Sequence, residues 1–164
     1  MNILILLAAA IINLILQSTV FPSIEIFGVV PNTALVLIIV ISLFKGRFVG
    51  SIYGVFVGLL TDILYSSVIG INSLILFFVG YFIGFAKDSF ARDNLLTPVI
   101  FTVLSTIFFN AIYALVVYFL TADISLKLTL QNIFSFEIVY NAIFSIIYYK
   151  IFSKIFTRPK IKFN

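Results

Sequence analysis

The stretch GRFVGSIYGVFVGLLTD, residues 46–62, places Gly46, Gly50, Gly54 and Gly58 four residues apart and ends on Asp62 at the same spacing. In lipid no hydrophobic drive holds helices together, so close backbone approach through small residues becomes a main source of association. A four-residue repeat drifts by about 40° per step against the 3.6-residue turn. The glycine stripe therefore winds, and a helix following it crosses in the right-handed sense of small-xxx-small pairs. Gly80 and Gly84 repeat the pattern in shorter form. The ladder predicts tight helix packing against one of two partners. One is a helix of the same chain; the other is a helix of a partner protein or of a second copy.

The chain around this ladder is strongly apolar. Of 164 residues, 63% are hydrophobic and 10% charged, with a mean hydropathy of +1.27. Soluble domains carry roughly 25% charged residues, so water-soluble globular, disordered, collagen-like and nucleic-acid-binding classes are excluded. The composition is that of an all-α polytopic membrane protein. There is no cysteine and no histidine. Disulfides, zinc, haem and iron–sulfur ligation are thereby removed, as are Cys-His and Ser-His-Asp mechanisms. With no tryptophan among 20 Phe and 8 Tyr, an interfacial aromatic belt rests on tyrosine.

Roughly 20 apolar residues span a bilayer at 1.5 Å each, and polar breaks divide the chain into six such segments. They are expected at about 2–21, 28–44, 48–65, 71–86, 95–120 and 132–156, followed by a basic tail, 157–164. Pro31 suits the first turn of the second. Segments two and four are short enough to re-enter rather than cross. The first has no basic n-region and no small-residue cleavage site before Pro22, so it reads as a retained helix. Six spans place Lys45, Arg47, Lys87, Arg92, Lys150, Lys154, Arg158, Lys160 and Lys162 on one side and only Lys127 on the other. By the positive-inside rule both termini are cytoplasmic, and the tail anchors at an anionic leaflet with about 1 kcal/mol per basic residue.

Ionisable groups inside hydrocarbon are costly and face a partner or a cavity. Asp62 and Glu137 each fall roughly 5–10 Å below the outer boundary by residue count. Gln17 and Asn110 reach similar depth, Asn72 opens segment four, and Asn141 lies a turn below Glu137. Three roles suit such a layer. One is an interhelical hydrogen-bond cluster in which the carboxyls act as neutral hydrogen-bonders, so that Asp62→Asn is tolerated. The others are an outward pocket for a ligand or partner segment, and a proton relay. The relay lacks any Lys, Arg or His in the membrane to accompany the pair. An acid–base dyad needs two carboxyls sharing a proton, and no recognisable motif brings these two together. Ser51, Ser73 and Ser105 have no histidine or embedded lysine to activate them. Neither catalysis nor a cofactor or metal is expected.

Taken together these segments resemble the MreD family of rod-shape-determining membrane proteins. Gln17-Ser18-Thr19 closes the first helix, and Gly28-Val29-Val30-Pro31-Asn32 opens the second. The block from Gly54 through Gly58 to Asp62 follows, then Ile69-Gly70, then Gly80-Tyr81-Phe82-Ile83-Gly84. The family commonly shows a proline-acid pair opening helix two, a G-x-x-x-G-L-L-x-D block and a glycine before helix four. The resemblance covers essentially the whole chain and marks Pro31, Asn32, Gly58, Asp62 and Gly70. The chain departs from the pattern at Asn32, where the family often has aspartate.

The resemblance implies a non-enzymatic scaffold in the cytoplasmic membrane of an elongating bacterium. Its partners would be an MreC-like bitopic protein and, through the elongation machinery, the MreB filament, RodA and a class B penicillin-binding protein. The family also looks related to the S components of energy-coupling-factor transporters, which bind vitamins in an outward pocket. Small-molecule uptake is therefore the alternative function. The absence of Trp, His and membrane-embedded Arg speaks against it.

Overall fold

The computed structural model describes residues 3–26, 28–66, 68–88, 94–121 and 136–156. Within them the chain forms six α-helices: α1 (Ile3–Thr19), α2 (Thr33–Lys45), α3 (Arg47–Tyr65), α4 (Ile71–Phe85), α5 (Leu96–Thr121) and α6 (Glu137–Phe156). Single 3₁₀ turns follow α1 at Phe21–Ile24 and α4 at Ala86–Asp88. The expected residues 132–135 of the sixth helix, Arg92, Lys127 and the basic tail 157–164 lie outside the described residues.

The architecture is an all-α bundle built around α2. Its sequence, TALVLIIVISLFK, has no polar face, and a helix that is apolar all round is stable only when covered on every side or in lipid. Every residue from Thr33 to Phe44 is buried, because α1, α3, α4, α5 and α6 all pack on it. Thirteen residues rise about 20 Å, short of the roughly 30 Å hydrocarbon core. Three helices, α3, α5 and α6, are long and apolar enough to cross a membrane, and α1, α2 and α4 are shorter apolar helices. The outer surface is apolar as well, with Leu4, Ile52, Phe119 and Phe85 well exposed. A soluble protein does not carry such a surface.

The second helix begins at Thr33, later than the expected Gly28, and Pro31 precedes it instead of opening its first turn. The cause is local. Gly28 adopts a left-handed φ of +73°, and Ile26 and Val29 bridge across it with N···O distances of 3.0 and 3.3 Å. Asn32 then accepts the Leu35 N–H at 3.1 Å and caps the helix. Asparagine and aspartate cap about equally well, whereas alanine costs about 1 kcal/mol. The departure from the family pattern at position 32 thus preserves this role. Asn32→Asp is expected to melt within a degree or two of the parent, and Asn32→Ala measurably lower, in a thermal-stability assay in detergent.

Rings tie α6 to the C-terminal end of α2 and to the 3₁₀ turn after α1. Phe44 stacks on Tyr149 at 4.9 Å, and Lys45 Nζ stands 3.8 Å over the Phe156 ring. From the 3₁₀ turn after α1, Phe21 meets Phe144 edge-on at 5.0 Å. Helix α6 presents Asn141, Ser145, Tyr149 and Phe152 as its buried face, a helical stripe set against α2 and α5.

Candidate functional site: a glycine seam and two polar clusters

The most extensive helix pair is α3 with α4, and glycines make it. A Cβ placed on Gly54 would overlap the Leu76 carbonyl, and one on Gly58 the Ser73 backbone. Gly80 faces the Gly50 carbonyl, and Gly84 faces the backbone at Gly46 and Arg47. The order of these contacts makes the two helices antiparallel. The ladder meets α4 of the same chain, so that face holds no room for a partner or a second copy. Gly46 differs from the others. It ends α2 and starts α3 with φ +86°, so it is a turn residue as well as the contact of Gly84 at the end of the seam.

Asp62 completes the seam. It is 0% exposed, and four N–H donors converge on it. Gly70 N at 2.9 Å and Ser73 N at 3.0 Å reach Oδ2, while Asn72 N at 3.1 Å and Asn72 Nδ2 at 2.9 Å reach Oδ1. These backbone groups are the N-terminus of α4, whose cap residue Gly70 has no side chain to satisfy them. Helix starts leave such donors orphaned, and here the preceding helix supplies the cap. Asn72 also donates to Ser66 Oγ at 2.9 Å, which draws the α3–α4 turn into the same cluster.

Glu137 belongs to a second cluster, on α6. Asn110 Nδ2 donates to its Oε2 at 3.0 Å and Asn141 Nδ2 to its Oε1 at 3.3 Å. Asn141 Nδ2 also reaches Thr106 Oγ1 at 3.1 Å, and Asn141 Oδ1 accepts the Asn32 N–H at 2.8 Å. One asparagine thereby joins α2, α5 and α6. Gln17 lies apart from both clusters, its Oε1 accepting the Thr33 hydroxyl at 3.1 Å. The expected single layer is therefore divided. Asp62 and Asn72 form one group, Asn110, Glu137 and Asn141 another, and each carboxyl has both oxygens occupied by amide donors.

The two carboxyls respond differently to amidation. The Asn110 amide can rotate to offer its oxygen, so a glutamine at 137 keeps both bonds. Glu137→Gln is expected to stay within about 1 kcal/mol of the parent. Equal collapse of Glu137→Gln and Asp62→Asn in a thermal-shift comparison would contradict this reading.

Residue count along the chain missed several participants. Tyr53 Oη donates to the Leu6 carbonyl at 2.8 Å, and Tyr148 Oη to Asn13 Oδ1 at 2.9 Å. Asn13, the one amide within a run of aliphatics on α1, was the available signal.

Helix-joining polar clusters, a backbone-to-backbone seam and an apolar exterior define an α-helical integral membrane protein. Among the described residues there is no group of three side chains suited to a metal ion. A family description, rod shape-determining protein MreD, matches residues 1–158. The chain belongs to the MreD family and is a rod shape-determining membrane protein. No curated protein and no solved structure matched it.

Proposed function

We propose that the chain is a non-enzymatic scaffold of the bacterial cell-elongation machinery. It holds an MreC-like bitopic protein in the cytoplasmic membrane and connects through it to MreB, RodA and a class B penicillin-binding protein. The observation that carries this reading is the use made of the buried carboxyls. Asp62 and Glu137 accept hydrogen bonds that join helices, which is the work of a frame. The groove between α1 and α6 and the one between α4 and α5 are walled by other residues, nearly all apolar. Lys45, Arg47 and Lys87 line a common groove at the end of the bundle opposite Asp62. That end is the cytoplasmic one by the positive-inside rule, and α1 begins and α6 ends toward it.

Co-expression of the tagged chain with its host's MreC-like protein tests the proposal. After mild solubilisation the two are expected to leave a sizing column together in fixed stoichiometry. A lone monomer, or co-elution with an ATP-driven transporter module, would overturn it in favour of small-molecule uptake.

A further inference from the structure

Helices α1 and α6 both pack on α2 but splay from each other, leaving a groove of about 330 Å³ with Leu37 of α2 at its floor. Ala8, Ala9 and Ile12 form one wall and Ile151 and Ile155 the other. Asn13 and Tyr148 join the two walls toward one end of the groove. Asn13 is 2% exposed, yet its Nδ2 has no hydrogen-bond partner among the described residues. Its Oδ1 is taken by the Tyr148 hydroxyl at 2.9 Å. Rotating the amide does not cure this, because it only exchanges which of the two polar ends is left without a partner.

A buried amide end without a partner is expensive in hydrocarbon, and its depth selects what can satisfy it. Asn13 stands about 15 Å along α1 from the first residue of the helix, where lipid tails carry no acceptor. The ester and phosphate oxygens of a lipid lie at the interface instead. A hydrogen-bonding group at mid-membrane depth comes from another protein segment. Ala8 and Ala9 meanwhile lower one wall so that a backbone can approach closely. We infer that the α1–α6 groove seats one transmembrane helix of a partner, which presents a Ser, Thr, Asn or Gln side chain to Asn13. The inference rests on the scaffold reading above and gives that scaffold its contact surface.

The native chain has no cysteine, so single cysteines report contacts without background. Ala8→Cys and Ile151→Cys, each co-expressed with partners carrying one cysteine along the transmembrane helix, are oxidised in native membranes. Both positions are expected to form disulfides with one face of the partner helix, while Phe82→Cys, exposed on α4, forms none. Asn13→Leu is expected to reduce the partner recovered by about three- to tenfold, the worth of one interhelical hydrogen bond. If that variant aggregates, the cross-linking pattern on the intact Asn13 background decides alone. A stable complex that cross-links through Phe82 and not through Ala8 or Ile151 overturns the groove assignment and leaves the scaffold standing. Cross-linking of Ala8→Cys to a second copy of the chain also overturns it. Failure of the pair to co-purify at all removes the scaffold and the groove together.

Discussion

The double variant Gly54→Leu/Gly58→Leu is expected to yield no monodisperse protein in detergent, and Gly54→Ala alone to lose about 3 kcal/mol. Two effects of opposite sign meet at this position. Alanine raises helix propensity by about 1 kcal/mol over glycine, which favours the variant. Its Cβ, however, would overlap the Leu76 carbonyl, and at Gly58 the Ser73 backbone. Neither obstacle is a side chain that can rotate away, so the two helices must separate along the seam. Separation also pulls Asp62 from the α4 N-terminus, and the loss compounds. Fluorescence-detected sizing chromatography with a melting series reads the result. Gly28→Ala is the control: nothing lies within 4 Å of its Cβ, so only its φ of +73° is strained, for about 1–2 kcal/mol. A Gly54→Ala protein as stable as the parent would mean that the seam is not closed.

Asp62→Asn is the second large effect, with an expected loss of about 1–3 kcal/mol. The neutral-carboxyl reading of the sequence predicted tolerance, and the geometry reverses that. All four groups reaching Asp62 are N–H donors, three of them backbone amides fixed by α4. An asparagine keeps one acceptor oxygen and turns an NH₂ toward the other pair. The Asn72 amide can turn its oxygen toward that NH₂, but the Asn72 backbone N–H cannot, so at least one buried donor loses its partner for about 1–3 kcal/mol. Asp62→Glu is not a rescue, since its longer side chain moves the oxygens away from the turn. The melting temperature of Asp62→Asn is expected to fall well below that of Glu137→Gln. Comparable melting of the two would show that donors at Asp62 can rearrange.

How much of this was legible in the sequence depended on which coordinate a residue pattern encodes. The four-residue glycine spacing encodes a face, and a face of that kind demands close packing. It does not say which helix answers, and the choice of α4 lies in matched positions such as Gly80 against Gly50. Polar residues in an aliphatic chain announce themselves, and counting gives their depth. Depth is not azimuth, however, so one apparent layer became an α3–α4 cap and an α2–α5–α6 junction. The late start of α2 was hidden because Pro31 fits either side of a helix boundary. The cap made by Asn32 settled that boundary. Asn13 escaped because it stands alone, with no spacing to flag it until Tyr148 is brought across from the far end of the chain.

The complete enclosure of α2 has a consequence for how the protein is made. Synthesis delivers α2 before α3 to α6, which cover most of it, so its twelve buried residues, Thr33 to Phe44, first face lipid. A largely apolar surface is at home in either setting, and the two polar side chains on it find partners on α2 itself or on α1. Ser42 donates to its own Ile38 carbonyl at 2.6 Å, and Thr33 to Gln17 of the helix already made. The backbone N–H of Asn32 must wait, because Asn141 arrives with α6. Helix α6, made after the five other described helices, is thus the one that latches the start of α2, and a nascent chain that stops short of it leaves that N–H open.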